Sequence, residues 1–131
     1  ASELIEKIKL NNLKWGIVTN KPYVYASKII EETPDLSSCM TLVCPDHLKK
    51  AKPSPEGILL ACNQLNLNPK EVIYFGDHQK DLLASRAAGT LTAACTYGYA
   101  LKSSDLENDD IEVRNLLEFS KTNFKSLDEK A

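Results

Sequence analysis

Apolar positions along this 131-residue chain alternate between a helical spacing and short unbroken runs. Within residues 3–13, Leu4, Ile5, Ile8 and Leu13 fall on one helical face. Trp15-Gly16-Ile17-Val18 then reads as a short buried strand ending at Thr19-Asn20. Pro22 sits where a first helical turn tolerates proline, which predicts a helix over Tyr23 to Glu32, broken by Thr33-Pro34-Asp35. Thr41 to Cys44 is a second strand, closed by Pro45-Asp46. The basic loop Lys49-Lys50-Ala51-Lys52-Pro53 leads into a third helix. Ser54 is its expected N-cap, Pro55 its first residue, and Ile58, Leu59, Leu60 and Leu65 its stripe. Val72 to Gly76 is apolar and β-prone without polar alternation, as in a parallel strand buried on both faces. The helix after it runs through Leu82, Leu83, Ala84, Ala87 and Ala88 and stops at Gly89. Leu91 to Thr96 is a fourth strand, 103–110 a polar loop, and Val113 to Phe124 the last expected helix.

Alternating helices and strands predict an α/β fold, a three-layer Rossmann-like sandwich with a mainly parallel sheet. Length and the absence of repeats or linkers predict one domain over 1–131. Composition narrows the functional classes. A net charge of −2 with both signs interspersed argues against nucleic acid or an anionic membrane as partner. No stretch approaches a membrane span, and the first residues lack the basic-then-apolar order of a signal peptide. Cys39, Cys44, Cys62 and Cys95 form no C-x-x-C pair, so reduced, mostly buried thiols in a cytoplasmic protein are expected.

Candidate chemistry gathers where strands end, because ligands of open α/β sheets bind at the carboxyl ends of their strands. Asp77 and Asp81 follow the third strand, and two nearby carboxylates suit a hard divalent cation, Mg²⁺. Thr19-Asn20 offers a hydroxyl and backbone N–H groups at a helix start, a cradle for an anion. Lys52 adds a compact cation beside a rigid proline. Together they describe a phosphoryl-transfer site, where catalysis is mostly positioning and charge neutralisation. Each residue also has a plain structural alternative. Asp77 and Asp81 could serve the helix start, Lys52 a solvated charge run, and Thr19 a turn. His78 reads as a surface residue in preference to a metal or acid–base group; Lys21, Tyr97 and Tyr99 either face the substrate or are ordinary loop residues, and stand outside the catalytic set.

Thr19-Asn20 after an apolar strand, Lys52-Pro53, and Gly76-Asp77-x-x-x-Asp81 resemble the second, third and fourth motifs of the haloacid dehalogenase superfamily. They occur in the same order, 33 and then 25 residues apart. Trp15 to Pro22, Lys52 to Glu56, Arg86-Ala-Ala-Gly89 and Tyr97-Gly-Tyr99 are similar to the phosphoglycolate phosphatase branch. That branch includes relatives acting on N-acetylmuramic acid 6-phosphate. The resemblance implies that Thr19 and the Asn20 N–H bind the phosphoryl group and that Lys52 neutralises it. It implies that Asp77 ligands Mg²⁺, while Asp81 completes the metal shell or orients Lys52. The substrate class it implies is a small phosphorylated metabolite, hydrolysed through an aspartyl-phosphate.

The first superfamily motif, Asp-x-Asp, is absent from the sequence. In the family it supplies the nucleophile and the general acid and base. The chain is therefore expected to be the C-terminal part of such a phosphatase. It would lack the cap and the first, central strand, and be inactive as it stands. The strands flanking that place would either close on each other or be covered by self-association with a second copy, since open strand edges are usually avoided. A non-catalytic module binding phosphate or Mg²⁺ is the alternative. A receiver or dinucleotide-binding domain lacks its early acceptor Asp or its G-x-G-x-x-G.

Overall fold

The alternation is realised in the computed structural model, which describes residues 2–98, 100–107 and 109–115. The elements are α1 (Ser2–Leu10), β1 (Ile17–Val18), α2 (Tyr23–Glu32), β2 (Leu42–Val43), α3 (Glu56–Leu65), β3 (Ile73–Gly76), α4 (Gln79–Ala88), β4 (Leu91–Cys95) and β5 (Ile111–Val113). All strand pairing described is parallel. Ile17 and Val18 face Leu42 and Val43 in one ladder, while β3, β4 and β5 lie in that order in a second.

The pleat of β3 explains the layers, because successive side chains leave opposite faces of a strand. Ile73 and Phe75 pack with α1 (Leu4, Ile8) over Ala93, Cys95, Val113 and Ile111. Val72 and Tyr74 point the other way, into Ile58 and Cys62 of α3 and Ala84 and Ala88 of α4. Val18 joins this second cluster, so α3 is the apolar bridge between the two ladders. Helices on both faces of parallel strands bear out the expected α/β class.

Element ends follow local chemistry. Asn12, at φ 55°, takes the left-handed conformation that ends α1 three residues before the last apolar position, with the Leu13 N–H donating to the Ile8 carbonyl. Gly89, at φ 83°, closes α4 where expected. The start of α3 moves by one residue. Helical hydrogen bonding begins at Glu56, and Ser54 still accepts the Glu56 N–H at 3.2 Å.

The end of the chain needs a correction. Val113, expected to open a helix, instead closes β5, where Ile111, Glu112 and Val113 align with Ala93, Ala94 and Cys95. Parallel pairing with an already buried strand outweighs the weak helical pattern; the rest of that expected helix, 116–124, lies outside the described residues. Nor do β1 and β3 close up by pairing. Among the described residues they share no ladder, and the Tyr74 hydroxyl of β3 donates to the Val18 backbone carbonyl of β1.

Candidate active site

Three carboxyl-terminal ends meet at the break between the ladders: β1 leads into Thr19, β2 into the basic loop, and β3 into Asp77. Thr19 is held at both ends. Its N–H donates to the Val43 carbonyl at 3.0 Å, and its Oγ1 accepts the Lys21 N–H at 3.1 Å. A hydroxyl that accepts in a turn still has its proton to donate. Asn20 beside it is exposed.

The basic loop is shaped by Glu56 in the first turn of α3. Its two carboxylate oxygens accept the N–H groups of Lys49 and Lys50, each at 3.0 Å. A turn closed by the Ser54 N–H and the Ala51 carbonyl follows. Lys52 is thereby directed inward, away from its exposed neighbours Lys49 and Lys50, and its side chain is only 11% exposed. This excludes its reading as one more member of a solvated run. Its ammonium reaches Asp81 Oδ1 at 2.5 Å, Tyr74 Oη at 3.0 Å and the Val18 carbonyl at 3.3 Å. Burial alone would lower its pKa, but Tyr74 and Asp81 outweigh that cost and hold it above the ordinary lysine value.

Asp81, in the first turn of α4, is buried. One oxygen takes Lys52, and the other accepts the N–H groups of Asp77 and His78 at 3.1 and 3.2 Å. Three of the roughly four acceptor positions of a carboxylate are therefore engaged. Asp81 thus contacts Lys52 directly, and its carboxylate also lies close to that of Asp77. Asp77 differs in that its side chain is 69% exposed, with Oδ1 3.0 Å from His78 Nδ1. That imidazole contact holds the Asp77 carboxyl below its usual range. Ligand atoms of Asp77, His78 and Asp81 lie within 4.8 Å of one another. Carboxylate oxygens so close, one of them open to solvent, fit a hard divalent cation.

Residues 1–95 match the family described as haloacid dehalogenase-like hydrolase. The chain belongs to that family. The relatives it resembles include the N-acetylmuramic acid 6-phosphate phosphatase of Pseudomonas putida, 42% identical over 92% of this chain and 55% of the relative. The enzyme of the same name from Pseudomonas aeruginosa is 45% identical over 74% of this chain and 43% of the relative. A phosphoglycolate phosphatase of Xanthomonas campestris is 33% identical, over 78% and 46%. Among solved structures, a haloacid dehalogenase superfamily hydrolase from Ehrlichia chaffeensis superposes with a TM-score of 0.78 and 26% identity, covering 95% of this chain and 56% of that one. The chain thus spans about half the length of the curated relatives it matches.

Within this family core, Lys52 and Asp81 meet directly, and Lys52 touches the carbonyl immediately before Thr19. Sequence reasoning missed Tyr74 and Glu56. A tyrosine inside an apolar strand was the available signal for the first, because a buried phenol normally finds a polar partner.

Proposed function

We propose that this chain carries the phosphate- and Mg²⁺-binding half of a phosphatase acting on a small phosphate monoester, of the sugar-phosphate or phosphoglycolate class. The observation that carries the reading is the buried Lys52–Asp81 pair set against the Val18 carbonyl, one residue from the Thr19 hydroxyl. In this reading the Thr19 hydroxyl and the Asn20 N–H hold phosphoryl oxygens, and Lys52 offsets their charge. Asp81 keeps Lys52 charged and in place, and Asp77 provides the open carboxylate for the metal. Mg²⁺, when bound, would neutralise charge on the phosphoryl group.

Turnover in this mechanism also needs a carboxylate nucleophile with a general acid and base. The Asp-x-Asp sequence that supplies them in the family is absent from this chain. The same absence favours a second reading, a module that binds phosphate or Mg²⁺ without turning an ester over. Calorimetric titration with Mg²⁺ and inorganic phosphate tests the shared core of both. Saturable phosphate binding, lost in Lys52→Met, and Mg²⁺ binding, lost in Asp77→Asn, are the expected results; no phosphate binding to the native chain refutes the proposal. Assaying p-nitrophenyl phosphate beside it should show no turnover by this chain, and hydrolysis would show that another of its groups is the nucleophile. The facing edges of β1 and β3 support self-association, which sedimentation would register as a dimer growing with concentration.

A further inference from the structure

An ammonium has three hydrogens, and Lys52 has three acceptors. Asp81 at 2.5 Å and Tyr74 at 3.0 Å are the close ones, and the Val18 carbonyl at 3.3 Å is the weakest. A lysine whose donors are all taken cannot bind an incoming oxyanion without giving one up. Val18 is the bond to give, but a carbonyl abandoned in a half-buried place carries a desolvation penalty. Here the penalty is already covered, because the Tyr74 hydroxyl donates to the same Val18 carbonyl at 3.2 Å.

We infer that Tyr74 is a positioning residue for Lys52: its hydroxyl oxygen and Asp81 hold two donors of the ammonium, and its hydroxyl proton keeps Val18 satisfied while the third donor turns to an oxyanion. One phenol thus serves both states. It accepts from Lys52 through a lone pair and donates to Val18 through its proton, so no group is left unpaired when the lysine turns. The ring is fixed for this task by packing with Ile58, Cys62, Ala84 and Ala88, and the ammonium lies 5.6 Å from its centroid. Elsewhere at the site, the His78 imidazole reaches Asp77, and the Lys21 backbone N–H donates to the Thr19 hydroxyl. That the oxyanion is a phosphate rests on the function proposed above; that Tyr74 holds Lys52 does not.

The test therefore has two independent readouts on Tyr74→Phe, which keeps the ring and deletes the hydroxyl. The first is hydrogen exchange of the Lys52 ammonium, followed by ¹⁵N NMR of the selectively labelled chain. It should accelerate several-fold. The second is the affinity for inorganic phosphate, which should fall roughly tenfold, as expected for one lost hydrogen bond to a charged group. Mg²⁺ affinity should not change. In a Lys52→Met background, Tyr74→Phe should cost only the Val18 hydrogen bond in unfolding and should not change phosphate binding further.

Unchanged Lys52 exchange in Tyr74→Phe overturns the inference, whatever happens to phosphate. Faster exchange in a chain that never bound phosphate would uphold the positioning role and sink the phosphatase reading instead. If Tyr74→Phe does not fold, the native chain still decides. A Tyr74 hydroxyl proton that is protected in the native chain and stays protected in Lys52→Met supports the inference, and an unprotected one refutes it.

Discussion

Severing the Lys52–Asp81 pair from either side should have unequal consequences. Asp81→Asn keeps the side-chain shape and one oxygen for the Asp77 and His78 N–H groups, but turns that side of the site from charged to neutral. Lys52 then keeps its charge at 11% side-chain exposure with only Tyr74 and Val18 as acceptors. Removing one partner of a buried pair costs about 3–5 kcal/mol, and the residual exposure here places this variant near the lower end, about 3 kcal/mol. Lys52→Met leaves Asp81 with two backbone donors, so about 2 kcal/mol is expected. With both changed, no orphaned charge remains, and the double variant should also lose only about 2 kcal/mol. The coupling is then about 3 kcal/mol, far above the ~0.5 kcal/mol scatter of independent sites.

Urea unfolding of the four proteins measures each corner. In a thermal scan, Asp81→Asn should melt roughly 10 °C below the native chain. The sign of the pH dependence follows from Lys52, which is held above its ordinary value. The pair's contribution is complete at neutral pH and fades only as the solution becomes more alkaline than an ordinary lysine pKa. Additive losses would refute the reasoning, because they would mean that Asp81 stabilises the fold through its backbone hydrogen bonds alone.

Glu112 accepts from Thr96, Ser103 and Arg114, with Arg114 the leading cause that holds its carboxyl down at about 2. Glu112→Gln should therefore be less stable than the native chain above the ordinary glutamate pKa, and the gap should close as pH falls toward 2 in urea midpoints. Arg86 ties α4 to Asp110, whose side chain is only 4% exposed, and also reaches Glu107. Arg86→Ala should cost roughly 2–3 kcal/mol by denaturation, below the full buried-pair range because the guanidinium is partly solvated; a loss under 0.5 kcal/mol, on the order of a surface pair, would refute this pinning role. At Gly76 an added Cβ would stand 2.3 Å from Asp81 Cβ. Gly76→Ala should lose about 1–3 kcal/mol or more and weaken phosphate binding with it, and native stability would show that α4 can shift freely.

How legible this was in the sequence depended on the range of the interactions involved. Helix α2 could be read to the residue, and the end of α4 at Gly89 as well, because proline and glycine act locally. The inward course of Lys52 was only half legible, since its direction is set by Glu56 and its partners lie 22 to 34 residues away. The start of α2 hides another such contact. Pro22 provides no side-chain cap, and the Tyr23 N–H donates instead to Asp46 at 2.9 Å, from the loop after β2. Strand β5 was missed because three residues cannot establish a period; its identity comes from the ladder with β4. Tyr74 lay inside the most informative segment and was passed over, because a β-prone aromatic in a buried strand needs no special account until its hydroxyl has a partner.

The break between the ladders makes cohesion and binding one problem. The polar links across it include two bonds on the Val18 carbonyl, from Lys52 and Tyr74, with Asp81 behind them. Phosphate bound at Thr19 and Lys52 would add a further link between the end of β1 and the loop entering α3. Binding to the folded state alone should then raise stability by about 2.7 kcal/mol at one hundred times the dissociation constant. Phosphate also stabilises proteins generally, by exclusion from their surfaces, so the native chain alone cannot decide. Lys52→Met can. Its melting temperature should show only the general rise, whereas the native chain should show a further rise that saturates with phosphate concentration. Equal, unsaturated rises in the two proteins would mean that the break is not a phosphate-binding site.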